Sequence, residues 1–363
     1  MTLRERYRDE IARGVLLPDA AQAALVDELE RVHRSLLSRQ DGGMLARLAR
    51  RLTRARREPV PGLYVWGGVG RGKTHLVDLF FASSRLDGKL RMHFHRFMQH
   101  VHGELHALAE RRDPLRIVAG RIAARTRLLC FDEFYVSDIT DAMILGRLLG
   151  AMFERGVTLV ATSNVEPSKL YADGLQRERF LPVIELIERH AKVIHLDSTT
   201  DYRLRALERA RTWYAPLGPD AERGLEECFG ALAPEHAAVG GALTILGRTV
   251  PVVRCAGGVA WFDFETLCEG PRSVADYIEI ARDFHSVVLS GVPVLDDDRR
   301  DPLRRFIHLV DELYDRNVNL IVSAATAPDG LYRGGKLAEP FQRTRSRLVE
   351  MQSTAYLGRG HIP

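Results

Sequence analysis

Gly67-Gly68-Val69-Gly70-Arg71-Gly72-Lys73-Thr74 brings together residue types that suit phosphate chemistry. Glycines let a backbone wrap an anion with its N–H groups pointing inward, because no Cβ blocks the left-handed conformations this needs. A lysine at this point reaches β- and γ-phosphates, and the threonine hydroxyl suits Mg²⁺. Lysine is scarce in the chain (Lys73, Lys89, Lys169, Lys192 and Lys336), so arginine is its usual cation. One of these few lysines stands where a compact ammonium serves better than a planar fork. The chemistry expected is the binding of ATP with Mg²⁺, held by Gly67 through Thr74.

Arg127-Leu128-Leu129-Cys130-Phe131 is an apolar run that ends in Asp132 and Glu133. About 60 residues after a phosphate loop, this reads as a strand whose first acid holds Mg²⁺ through water and whose second orients the attacking water. A further strand ends in Ala161-Thr162-Ser163-Asn164. Asn164 is expected to contact the attacking water or the γ-phosphate, with Thr162 and Ser163 as rivals. Arg177 and Arg179, one helix before the last core strand, are candidates for an arginine finger that meets charge developing on the γ-phosphoryl group, with Arg177 preferred. His93, His95, His100, His102 and His106 invite a metal reading, but His102 and His106 lack the intervening glutamate order of a zinc helix. Packing or hydrogen bonding is the expected role, with His93 and His95 on one face of a strand.

These residues require strands that end at a common edge. From 62 to about 197, short apolar runs alternate with helical patterns, which predicts a parallel sheet with covering helices. The expected strands are Leu63–Trp66, Leu90–Phe94, Arg127–Phe131, Thr158–Thr162 and Val193–Leu196. The fold class is α/β, a P-loop core in three layers. His75 to Phe81 has the spacing of the helix that follows the loop. Upstream, Ala24, Leu25, Leu29, Val32 and Leu36 recur at helical intervals. Arg47, Arg50, Arg51, Arg54 and Arg57 form a basic helical face, either solvated or turned to a membrane surface or nucleic acid. Pro59 and Pro61 end that segment. Three regions result: N-terminal helices over 1–57, the ATPase core over 58–215, and a C-terminal α/β lobe over 216–363.

The 363 residues carry a net charge of +4, with 45% apolar and 28% charged residues. These values fit a globular protein, and the charge alone does not imply nucleic acid. No apolar run is long enough to cross a membrane as a helix, and the N-terminus lacks signal or transit character. Cys130, Cys228, Cys255 and Cys268 form no CxxC pair, so a reduced cytoplasmic setting is expected.

The C-terminal lobe echoes the core. His308 to Ser323 parallels Arg147 to Thr162 at an offset of 161 residues, and Pro328 to Tyr332 parallels Pro167 to Tyr171. Gln342-Arg343-Thr344-Arg345 echoes Gln176-Arg177-Glu178-Arg179. Val287 to Val294 occupies the place of the acid-bearing strand without its acids. Trp261-Phe262-Asp263-Phe264 and the loop to Pro271-Arg272-Ser273 are expected to be a lost phosphate loop. A degenerate duplicate of this kind cannot hydrolyse nucleotide, but Arg343, Arg345 or Arg347 could be presented to the intact site. Pairing with acids such as Glu350 is the alternative.

Several strings are more specific than a phosphate loop: Asp19-Ala20-Ala21-Gln22, Arg91-Met92-His93-Phe94-His95-Arg96-Phe97-Met98, Phe131-Asp132-Glu133-Phe134, Asp201-Tyr202-Arg203-Leu204-Arg205 and Phe341-Gln342-Arg343-Thr344-Arg345-Ser346-Arg347-Leu348. With Ala161 to Asn164 and the glycine loop they span nearly the whole chain, and they resemble the ZapE/AFG-like ATPase family. The resemblance implies Mg²⁺-dependent ATP hydrolysis by an AAA-like core. It also implies a homo-oligomer when ATP is bound, and a role at the bacterial division septum acting on FtsZ polymers, or protein quality control in mitochondria. The absence of a presequence favours the bacterial branch. Remodelling of a protein partner is the leading reading. A two-lobed ATPase stimulated by nucleic acid, or a nucleotide-gated scaffold, is the alternative.

Overall fold

The computed structural model describes residues 1–40, 58–198, 211–233, 238–256 and 258–362. The basic face from Arg47 to Arg57 and the Asp201–Arg205 string lie outside the described residues. The chain forms two compact units, Met1–Thr200 and Asp201–Pro363.

In the first unit, β1 (Gly62–Trp66), β2 (Lys89–His93), β3 (Leu128–Asp132), β4 (Thr158–Ser163) and β5 (Ala191–His195) form a sheet in the order β2-β3-β4-β1-β5. All its pairings are parallel. Each crossover is helical: α3 (Lys73–Ser83) after β1, α4 (Phe94–Ala107) and α5 (Pro114–Arg125) after β2, α6 (Ile139–Phe153) after β3, and α7 (Leu181–His190) after β4. Alternate strand residues point to opposite faces. Tyr64, Leu129, Phe131, Leu159 and Ala161 share one core with the α4–α7 helices. Leu63, Val65, Leu128, Cys130 and Val160 are equally buried on the other face. Burial on both faces makes the central strands apolar throughout, as a parallel sheet between helix layers requires. α1 (Leu3–Ala12) and α2 (Ala20–Gln40) precede the sheet. A Thr2/Glu5 capping box starts α1, and Asp19 Oδ1 accepts from Gln22 N–H at 2.9 Å to start α2.

One expected strand is shifted by a residue. β2 ends at His93, and Phe94 opens α4, so His95 lies on a helix and not beside His93 on a strand face. Phe94, Phe97, Met98 and Val101 recur at helical spacing and are buried, and that periodicity overrides two alternating histidines.

The second unit holds β6 (Trp213–Tyr214), α8 (Pro219–Leu232), β7 (Ala238–Val239), β8 (Ala242–Ile245), β9 (Arg248–Pro251), β10 (Arg254–Ala256) and β11 (Val259–Asp263). It continues with α9 (Val274–Asp283), β12 (Ser286–Val292), α10 (Arg300–Asp315), β13 (Asn319–Ala324), α11 (Ala338–Glu350) and α12 (Thr354–Leu357). Its main sheet runs β6-β13-β12-β11-β10-β7, with the first four strands parallel. That block repeats the order β1-β4-β3-β2 of the first unit, with a helix after each of β6, β11, β12 and β13 and with β7–β10 added between α8 and β11. The repeat corrects two expectations. Trp261–Asp263 is β11, in the place of β2, and not the strand of a lost phosphate loop. The strand in the place of β1 is β6, so Trp213 and Tyr214 belong to the second sheet although the sequence division puts them in the core. Ala215-Pro216-Leu217-Gly218 then joins β6 to α8, with neither the lysine nor the glycine run of a phosphate cradle.

Candidate nucleotide site

The loop between β1 and α3 emerges at the carboxyl edge of the sheet, in the crevice where open α/β sheets bind ligands. Gly67, Gly70 and Gly72 have φ of +154°, +74° and +86°. A Cβ on Gly67 would lie 2.5 Å from Leu196 O, and one on Gly72 2.9 Å from Gln22 Nε2. Conformation and close approach therefore both demand glycine at these two positions. Gly68, Val69 and Arg71 complete the turn, and Thr74 follows Lys73 in the first turn of α3. Lys73 is buried, and its ammonium donates to Gly67 O at 2.9 Å, Gly68 O at 2.7 Å and Asn164 Oδ1 at 3.0 Å. The lysine is thus held across the loop, and the tip of β4 is tied to it.

Asn164 is separated from its two rivals by these contacts. Thr162 Oγ1 accepts from the Glu133 N–H at 3.3 Å, and the Ser163 hydroxyl donates to Phe134 O at 2.8 Å while accepting from Val165 N–H. Both hydroxyls fasten the turn after β3. Asn164 is exposed and is the residue of the three whose side chain meets Lys73.

β3 delivers Asp132 and Glu133 to the same edge. Asp132 is buried and accepts a two-pronged contact from Arg91 of β2, Nε to Oδ2 at 2.7 Å and Nη2 to Oδ1 at 3.1 Å. Arg91 Nη1 also pairs with Asp78 of α3, one helical turn beyond Thr74. Glu133 has φ +50°, a left-handed conformation that costs a glutamate of order 1–3 kcal/mol. In the second unit the corresponding residue is Gly291, with φ +77° and its N–H on Ser323 Oγ at 2.9 Å. The repeat fills this position with the residue that suits the backbone, whereas the first unit places a carboxylate there. Cys130, beneath these acids, is no nucleophile, because burial pushes its thiol far above the ordinary range.

α1 and α2 contribute residues that no local pattern announced. Gln22 is fully buried, and its amide donates to Arg71 O at 3.1 Å. His75, next after Thr74, pairs with Glu10 at 2.6 Å. The N-terminal helices thus grip both flanks of the loop-to-helix junction. The advance signal for Gln22 was the Asp19-Ala20-Ala21-Gln22 string.

Arg177 and Arg179 sit in a short 3₁₀ turn before α7. Arg177 donates to Ser168 O at 2.5 Å and Leu170 O at 3.4 Å, so its guanidinium braces its own unit. Arg179 is exposed. His102 pairs with Asp141 at 2.6 Å. In the second unit, Arg343 and Arg347 converge on Asp311 at 2.6 and 2.7 Å, and Arg345 faces Asp329 at 3.4 Å. All three arginines thus pair with acids, as the alternative reading has it, although Glu350 itself pairs with Arg359 at 2.7 Å.

A parallel sheet with this strand order, a glycine cradle with its lysine, and two acids at the neighbouring strand tip define a P-loop nucleoside triphosphatase. The chain matches the AFG1-like ATPase description over residues 1–360 and belongs to that family of ATP hydrolases. It is 44% identical over 370 residues to the cell division protein ZapE of Escherichia coli (strain K12), covering 100% of this chain and 99% of that protein. It is 39% identical over 310 residues to lactation elevated protein 1 homolog B of Danio rerio, covering 82% and 62%. Among solved structures it is similar to DnaI (20% identity, 50% of this chain and 87% of that one, TM-score 0.34). It is also similar to the replication initiator DnaA bound to AMPPCP and single-stranded DNA (16%, 41% and 44%, TM-score 0.31). These two likenesses are too low to bear on function.

Proposed function

We propose that this protein is a Mg²⁺-dependent ATPase that couples hydrolysis to the remodelling of a protein partner in bacterial cell division. The observation that carries the catalytic reading is the convergence of Lys73, Asn164, Asp132 and Glu133 from three adjacent strand ends. In this reading the Gly67–Gly72 N–H groups cradle the phosphates and Lys73 turns from its carbonyl partners to the β/γ oxygens. Asn164 then faces the γ-phosphate, and Glu133 orients the attacking water. Thr74 and Asp132 would hold Mg²⁺, which would offset the negative charge of the phosphates. The donor set fits: it is oxygen only, as a hard dication prefers, and Asp132 keeps lone pairs beyond those given to Arg91. Arg179, exposed beside α7, is the better finger candidate, supplied to a neighbouring copy in an ATP-bound oligomer.

The division role rests on full-length identity to ZapE of Escherichia coli. FtsZ polymers at a cytoplasmic septum are the proposed partner. The test is steady-state ATP turnover with FtsZ polymers, DNA or RNA added, over a salt series. Stimulation by FtsZ with shortening of its polymers supports the reading. Stimulation by nucleic acid alone, falling steeply with salt, would replace it with a two-lobed translocase.

A further inference from the structure

We propose that Arg91 is a positioning residue for the Mg²⁺ of the nucleotide site, acting through Asp132. The inference rests on the ATPase reading above and goes beyond it. Arg91 lies on β2, beside the acid-bearing strand β3 and outside both the glycine loop and the acidic pair in sequence. Its side chain is 15% exposed, between Asp132 at 7% and Asp78 at 16%. Its guanidinium therefore joins β2, the end of β3 and the phosphate-binding helix in one charged cluster. The fork holds both Asp132 oxygens, which fixes the carboxylate plane as a single point charge would not. The third contact, to Asp78, fixes the fork in turn and sets it one turn from Thr74. Groups that orient a metal-binding carboxylate in this way change metal affinity or activity by about 10–100-fold when altered.

The second unit supplies an independent observation. Register pairs Arg91 with Cys130 on β3, and Trp261 with Val288 on β12, at equivalent places of the two sheets. Trp261 takes the place of Arg91, and Ser290 takes the place of Asp132. Trp261 Nε1 donates to Ser290 Oγ at 3.0 Å. The repeat keeps a cross-strand contact here but has lost the guanidinium and the acid together. A guanidinium needed only to hold the sheet would have no reason to disappear with the metal-binding acid.

Arg91→Ala would leave the buried Asp132 and the half-buried Asp78 without their shared cation, which endangers folding. Arg91→Lys keeps the charge and removes the fork. The experiment measures Kd for a fluorescent ATP analogue in EDTA and in Mg²⁺ for the full chain, for Arg91→Lys, for Asp132→Asn and for the double variant, with thermal melts as the folding control. The ratio of the two Kd values reports how much Mg²⁺ contributes. Arg91→Lys is expected to leave Kd in EDTA unchanged and to cut that ratio about tenfold. In the Asp132→Asn background it should add nothing further. An equal effect in both backgrounds, or none in either, overturns the proposal. A wild-type chain that binds the analogue in neither condition overturns the ATPase reading itself, a result distinct from the other two.

Discussion

At the residue scale, the candidate site holds backbone strain at the residue proposed to orient the attacking water. Glu133 occupies a left-handed position that the repeat gives to Gly291. Glu133→Gly should therefore hold or raise the thermal midpoint, since relief of strain offsets the entropy glycine adds to the unfolded chain, while ATP turnover is lost. A fall of the midpoint by several degrees would mean the carboxylate also supports the fold. Gly72→Ala is the opposite case. Its φ of +86° and the Gln22 amide 2.9 Å from the new Cβ should cost about 1–3 kcal/mol, read by denaturant melts, and should weaken ATP binding. The glycine loop and the Asp132-Glu133 pair were legible in the sequence because they are short linear patterns in a fitting context. Arg91 and Gln22 were not assigned roles there. Both stand in specific strings, Arg91–Met98 and Asp19–Gln22, but their partners lie 41 and 49 residues away, so the strings alone do not say what they touch.

At the scale of elements, all five core strands were readable from apolar runs, with ends shifted by one or two residues. The histidine pair misled because two alternating residues are too short a window to establish a strand period. α2 is tied to the sheet edge by Glu28, which Lys192 of β5 meets at 2.7 Å and Arg31 at 2.8 Å. The Lys192 hydrogen bond, with that of Arg31, holds the Glu28 carboxyl below its ordinary range. A depressed folded value means the contribution is present above the unfolded carboxylate pKa and is lost as pH falls through the folded one. Lys192 is 56% exposed, so Glu28→Gln should cost under about 1 kcal/mol at neutral pH and nothing in acid, as urea melts at two pH values would show. The turn before α7 yields a second element-level prediction. Arg179→Ala should bind ATP normally and hydrolyse it about 10³-fold more slowly. Mixing it with Glu133→Gln should restore part of the activity. Arg177→Ala should chiefly lower stability, since it releases the carbonyls of Ser168 and Leu170. No rescue at any mixing ratio would remove Arg179 as a finger supplied by a neighbouring copy.

At the scale of the whole molecule, the second α/β unit repeats the strand order of the first without its glycine loop, lysine and acidic pair. The offset of 161 residues made the repeat legible around β13, where β4 and β13 keep their length. The lost phosphate loop was misplaced because β6 is two residues long and the antiparallel strands β7–β10 intervene before β11. Ala325 stands at the place of Asn164, and β12 ends in Ser290-Gly291-Val292 without acids. Phe341, Leu348, Met351 and Tyr356 are core residues of the second unit, so deleting the C-terminal segment would unfold it. Arg343→Ala and Arg345→Ala, which break surface pairs with Asp311 and Asp329, are the usable changes, and ATP turnover should not move. The account as a whole is tested most directly by the number of ATP molecules retained per purified chain when hydrolysis is blocked. Glu133→Gln should retain one ATP per chain, and Lys73→Ala none. Two per chain, or one remaining in Lys73→Ala, would contradict the assignment of nucleotide binding to the first unit alone.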